Sequence, residues 1–221
     1  VLSRIAATVT PAFGRLTITS APEFRLDRTS IIVANHSSFA DPALVLTALR
    51  RRLGIEPVVL ATAGLWRVPF LGRVLTREGH VPVHRGTARA GKALEDAALA
   101  LGEGRHVLLY GEGRLPARRD AADTAPEAFR SGVARLSLAT GAPVMPVGQA
   151  GARRITSGSP TKQLAGLLSA PVRRPRLHVH IGAPVTLPEG VPAATARAHQ
   201  AVTWAWETAA TAVGHTAVSA A

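Results

Sequence analysis

IIVANHSSFADPALVLTAL, residues 31–49 of a 221-residue chain, changes character twice. Ile31–Ala34 is a short apolar run rich in β-branched side chains, the pattern of a buried strand. Residues 35–40 are mostly polar. Asp41 and Pro42 then read as a helix start, with the aspartate as N-cap and the proline at the first helical position. Ala43, Leu44, Leu46 and Leu49 continue as a helix. His36 therefore stands just past a strand end and Asp41 at the head of the next helix. A loop this tight folds a carboxylate back onto an imidazole, and an imidazole so held is a general base. The plainer reading is a loop histidine beside a capping aspartate. The strand-end position, where α/β folds place their sites, favours the first.

Outward from this stretch, residues 58–61, 81–83, 106–110, 144–147 and 176–181 read as strands. Residues 1–13 (ending near Pro11), 87–101 (capped by Thr87), 129–140 and 193–213 read as helices. Residues 17–26 alternate loosely and form one or two strands. Arg50, Arg51 and Arg52 close the second helix at its negative end, with Gly54 beyond. Pro146 puts its strand near an edge or at a bend. Residues 120–127 form a polar loop, and 156–175, rich in Ser, Gly, Pro and Arg, a surface excursion. Strands alternating with helices predict an α/β fold: a single-domain αβ sandwich with a mixed, mainly parallel central sheet flanked by helices. No repeat or linker divides residues 1–221, a length that suits one domain with a real core.

Hydrophobic residues make up 47% of the chain, a globular composition. No apolar run reaches the roughly 18–20 residues of a membrane span, and no secretory signal is visible. Without cysteine, disulfides, thiol catalysis and thiolate metal sites are excluded, which fits a cytosolic setting. Net charge is +12, and all basic residues but Lys92 and Lys162 are arginines. Arginine forks phosphates and carboxylates, so the expected partner is polyanionic: a phosphorylated substrate, an anionic bilayer or nucleic acid. Aromatics at 4% argue against stacking on bases. Residues 64–75, GLWRVPFLGRVL, read either as a lid on the core or as an amphipathic patch on a bilayer.

Two further motifs carry chemistry. Tyr110-Gly111-Glu112-Gly113-Arg114-Leu115 follows the HVLL strand; its glycines let backbone amides approach an anion, and Arg114 supplies a fork. It is neither a dinucleotide fingerprint, because Pro116 stands where a third glycine belongs, nor a P-loop. Arg85, in GHVPVHR, ends a strand as a phosphate clamp does. The pairs His178/His180 and His80/His84 lack a carboxylate or third ligand, so no metal is expected. No GxSxG elbow is present, against a serine hydrolase.

In this order the segments resemble the glycerolipid acyltransferases of the lysophosphatidic acid acyltransferase family, over residues 31–185. Asn35 to Asp41 looks like the family's NHxSxxD block, which implies His36 as base and Asp41 as its orienting acid. Pro69 to Gly72 with Gly79 to Arg85 resembles the second block, where the arginine contacts the acceptor phosphate. Tyr110 to Gly113 resembles the third, usually FPEGTR, and Phe129 to Gly132 with Ala134 the segment after it. Ala142 to Val147 resembles the fourth block, and His180 to Pro184 a late strand and turn. Here Gly111 replaces the third block's proline, Arg114 its threonine and Leu115 its arginine, so the phosphate ligand has shifted to Arg114, or Arg118 or Arg119 takes its place. The resemblance implies an O-acyltransferase moving an acyl group from acyl-CoA or acyl carrier protein to a lysophospholipid such as 1-acylglycerol-3-phosphate. Asn35, Ser37, Ser38, Arg85, Gly111, Glu112, Gly113 and Arg114 would bind substrate. No cofactor or nucleic acid is expected, and the enzyme would sit peripherally on the cytoplasmic face of an anionic membrane. The alternatives are another acceptor (a glycolipid, aminolipid or specialised metabolite), or a non-catalytic module binding anionic membranes or nucleic acid.

Overall fold

A computed structural model of the chain describes residues 1–86, 90–117 and 120–214. The strand predicted at residue 31 is the centre of the molecule. This strand, β2 (Ile31–Ala34), is wholly buried and pairs in parallel with β5 (Val107–Tyr110) on one side and β6 (Val144–Ala150) on the other. β3 (Val58–Thr62) and β4 (Val81–Val83) extend the sheet beyond β5. β7 (Arg176–Ile181) and β1 (Arg15–Ser20) extend it beyond β6, giving the order β1-β7-β6-β2-β5-β3-β4. β7 runs antiparallel to β6 and parallel to β1, so two strands oppose the other five. The predicted α/β sandwich with a mixed, mainly parallel sheet is what forms.

Alternation along β2 feeds two cores. Ile31 and Val33 point into one, with α4 (Ala90–Gly102), α5 (Gly132–Thr140) and α7 (Val191–Ala212). Ile32 and Ala34 point into the other, with α1 (Leu2–Phe13), α2 (Asp41–Leu53) and α6 (Pro160–Arg173). A strand buried on both faces needs a continuous apolar run, which is why IIVA lacks a polar alternate.

Several elements depart from expectation, each for a local reason. α1 runs through Pro11 to Phe13. Proline there leaves the Ala7 carbonyl without its helical donor, and Arg51 Nη2 supplies one at 2.8 Å. Only one strand forms in 17–26, within β1. Pro146 lies not at an edge but in β6, between β2 and β7. Its missing N–H faces Gly182, just past the end of β7, so a single bond at the ladder's end is lost while the Pro146 carbonyl still accepts from Gly182 N at 2.8 Å. The excursion 156–175 contains the fourteen-residue helix α6, capped by the Ser159 hydroxyl. Residues 64–75 form a 3₁₀ turn and α3 (Leu71–Arg77), leaving Val68 and Phe70 exposed with Arg73 over the Phe70 ring. The Thr87 cap lies outside the described residues.

α7 packs across β6 at close range. A Cβ at Gly148 would lie 2.0 Å from the backbone carbon of Ala205. The alanines Ala194, Ala198, Ala201, Ala205 and Ala209 allow that approach.

Candidate active site

The loops leaving β2, β4, β5 and β6 at their carboxyl ends converge, as ligand sites of open α/β sheets do. Asn35 extends the β2–β6 ladder by one step with its side chain: its Oδ1 accepts from Gln149 N at 2.8 Å, and its Nδ2 donates to Gln149 O at 3.1 Å. That fixes the start of the loop, and His36 follows. The His36 backbone N–H donates to Glu112 Oε1 at 3.1 Å. Its ring stacks on Tyr110, centroid to centroid 4.2 Å.

Asp41 does not cap its helix. It is the first residue of α2, and its side chain turns back into the preceding loop, where it is fully buried. One oxygen accepts from Ser37 N at 2.5 Å, Ser38 N at 2.8 Å and His36 Nδ1 at 3.0 Å; the other accepts from Ser37 Oγ at 3.2 Å. Two amides that can only donate make this carboxylate an acceptor, so the Nδ1 proton points at it and Nε2 keeps its lone pair. No described residue bonds Nε2, and the ring is 14% exposed. The His36 ring is thus held in one orientation, with Nδ1 on Asp41 and Nε2 left open among the described residues.

A second layer holds the loop. Gln149 Nε2 donates to Ser37 Oγ at 2.9 Å, and Arg153 Nη1 donates to Ser37 O at 2.7 Å. Arg153 also reaches the Asp120 carbonyl, and Asp123 accepts from Gly151 N at 3.0 Å. The polar loop 120–127 is therefore tied to the end of β6 behind the histidine. The Ser38 hydroxyl is spent on Ala152 O and Thr156 O. Asn35 and Ser38 are buried, so within the described structure they and Ser37 serve to hold the loop.

Glu112 is the third block's carboxyl group. Burial raises its pKa to about 8, with the Asp41 and Glu127 charges adding to the effect, so at neutral pH it carries a proton. Its Oε2 is buried without a partner among the described residues. Burial likewise pushes the Tyr110 hydroxyl well above its ordinary value, helped by Asp41 and Glu112.

The glycines around Glu112 serve packing as well as access. A Cβ at Gly111 would lie 2.3 Å from the Phe129 ring, and Gly111 O accepts from Arg130 N at 2.9 Å. The loop is thus latched to residues 129–130, which lays the Arg130 side chain along Gly113. Arg85 arrives from the end of β4. Its guanidinium is partly desolvated and feels the Arg130 charge, and both effects lower its pKa. Arg85, Arg114 and Arg130 are all exposed, and Arg114 pairs with Glu127 at 3.4 Å. Arg130 thus lies along Gly113 with its charge felt by Arg85, while Arg114 is engaged by Glu127. Arg118 and Arg119 lie outside the described residues. Arg130, Gln149 and Arg153 were not among the expected site residues. The signal for Arg130 was its place directly after Phe129 in the segment following the third block.

Two surface clefts lie elsewhere, one under Trp204 and Arg197, the other between Phe129 and Pro192, and neither includes His36. His178 and His180 bond to Thr17 and Thr19 on β1. Among the described residues no group of three His or acidic side chains gathers as metal ligands.

The pattern of the Acyltransferase family matches residues 15–149, β1 to the end of β6. The chain belongs to the acyltransferase family. A 1-acyl-sn-glycerol-3-phosphate acyltransferase of Borreliella burgdorferi is 31% identical over 118 residues, which cover 53% of this chain and 44% of that protein. The chain thus matches under half the length of that relative. The crystal structure of the 1-acyl-sn-glycerophosphate (LPA) acyltransferase PlsC from Thermotoga maritima superposes with a TM-score of 0.70 at 19% identity, over 94% of this chain and 77% of that one. The acyltransferase fold therefore extends past the family match, through α6, β7 and α7.

Proposed function

We propose that this acyltransferase moves a fatty acyl group from an acyl thioester, carried on coenzyme A or acyl carrier protein, to a hydroxyl of a lysophospholipid such as 1-acylglycerol-3-phosphate. The observation that carries the reading is His36 Nδ1 held 3.0 Å from a buried Asp41 with Nε2 left open. Nε2 takes the proton of the acceptor hydroxyl as its oxygen attacks the thioester carbonyl. Asp41 stabilises the imidazolium that forms. When the tetrahedral intermediate collapses, the C–S bond breaks and the imidazolium returns its proton to the leaving sulfur. The products are the ester and a free thiol, and no cofactor is needed. Arg85 and Arg130, whose like charges act on one another, are matched to an acceptor phosphate, which relieves their repulsion on binding.

His36→Ala should lower acyl transfer by about 10²–10⁴-fold with the fold unchanged, read as thiol release against a panel of hydroxyl acceptors. A folded variant with full activity would refute the base. The panel also separates a second reading, favoured by the pairing of Arg114 with Glu127: the same chemistry on a glycolipid, aminolipid or specialised metabolite.

A further inference from the structure

Helix α6 is inverted for a helix on a soluble protein. Of its fourteen residues only Ala170 is buried. Leu164, Leu168 and Val172 recur every four residues and so share a face, with Leu167 beside them. All four are exposed, Leu168 by 71% and Val172 by 88%. Such a stripe ordinarily faces the core. Helix α1 packs against α6 and also leaves apolar residues four apart in solvent, Ile5 and Val9.

The α6 stripe is edged by charges of one sign, while Arg4 on α1 pairs with Glu56 at 3.5 Å. Residues 1–13 and 160–176 contain no aspartate or glutamate, only Arg4, Lys162, Arg173, Arg174 and Arg176. A second copy of the chain would bring +12 against +12. An apolar stripe edged by cations fits an anionic bilayer, whose headgroups take the charge and whose acyl boundary takes the leucines. Among the described residues no helix is long and apolar enough to cross a membrane, so the fit is to the surface.

α6 is also coupled to the catalytic loop. It rests on residues 154–155, where Arg173 Nη2 donates to Arg154 O at 3.0 Å and Gly166 lies against Ile155 O. The adjoining Thr156 O and Ala152 O hold Ser38, two residues after His36. Phe39, next in the loop, is 68% exposed. The patch at Val68 and Phe70 is smaller and has no such link to Ser38.

We propose that α6, flanked by α1, is the face by which this chain lies on an anionic lipid surface, with the Leu164–Leu168–Val172 stripe inserted at the headgroup boundary. The proposal takes from the reading above only the expectation that the acceptor resides in a lipid layer. It is tested with the whole chain and its Leu168→Gln/Val172→Gln variant, sedimented with phosphatidylcholine vesicles with and without phosphatidylglycerol. Wild type should bind the phosphatidylglycerol vesicles, less so at high salt. The variant should bind at least about tenfold more weakly, the loss expected from two apolar side chains, with unchanged thiol release on a dispersed short-chain acceptor. Equal vesicle binding by the two proteins overturns the proposal. So does a wild type that ignores vesicles but forms a dimer that the variant dissolves. A wild type that binds vesicles yet releases no thiol with any acceptor supports the docking face and refutes the acyl-transfer reading alone.

Discussion

Replacing Glu112 by glutamine should stabilise this protein, and more so as pH rises. Unfolded, the carboxyl loses its proton near 4.5; folded, it keeps it to about 8. Between those values the folded chain holds a proton the unfolded chain has released, so stability falls as pH increases. At about 1.4 kcal/mol per pH unit, the interval removes at most about 5 kcal/mol from the wild type. That is a large part of the 5–15 kcal/mol, roughly, that a domain has. Glutamine stays neutral throughout and keeps an oxygen to accept from His36 N–H. The variant should therefore match the wild type near pH 5 and exceed it by several kcal/mol at pH 8, read from urea unfolding at a series of pH values. Glu112→Ala makes the complementary test, since it removes the acceptor for His36 N–H as well as the acid. Parallel pH profiles for wild type and Glu112→Gln would mean that Glu112 ionises in the fold and would overturn the neutral-acid assignment.

Arg130→Ala should raise the acceptor KM about tenfold or more, the scale of one lost charge-assisted hydrogen bond, with kcat little changed. Arg114→Ala, breaking only an exposed pair, should leave both near wild type, and steady-state kinetics with a phosphorylated acceptor would show the reverse ranking if Arg114 were the clamp. Gly148→Ala should destabilise by about 1–3 kcal/mol or more, because the added methyl meets the α7 backbone at Ala205; an unshifted melting temperature would contradict the close approach.

The dyad was legible because local rules agree there. An apolar run, a polar break and an Asp-Pro step fix strand, loop and helix within a dozen residues. The role of the Asp41 side chain was only half legible: capping and folding back begin from the same sequence signal, and the competing Ser37 and Ser38 amides decide between them. Pro146 misled because its donor falls at a ladder end, a matter of register rather than residue type. α6 stayed hidden because Gly166 and Pro171 read as loop residues, and its apolar stripe faces outward instead of joining a core. Arg130, Gln149 and Arg153 are distant from His36 in sequence, and their roles exist only once β5 and β6 flank β2. The third block pointed to Arg114, yet the Glu127 carboxylate pairs with that side chain, and the latch between Gly111 and Arg130 lays a second arginine along Gly113.

The pairing of β1 with β7 bears on how the molecule assembles. Arg15 stands opposite Arg176 and Ser20 opposite Ile181, and among the described residues β7 is the only strand that pairs with β1. β1 thus waits for β7 before it has a hydrogen-bonded strand neighbour. Contacts of such long sequence separation are late and slow to form. During synthesis the central strands β2, β5, β3 and β4 can gather first, while β1 has no strand partner until β7 has emerged. Closure of this edge of the sheet therefore comes last: α1 can pack on α2 early, but β1 gains its hydrogen-bonded partner only once β7 is made.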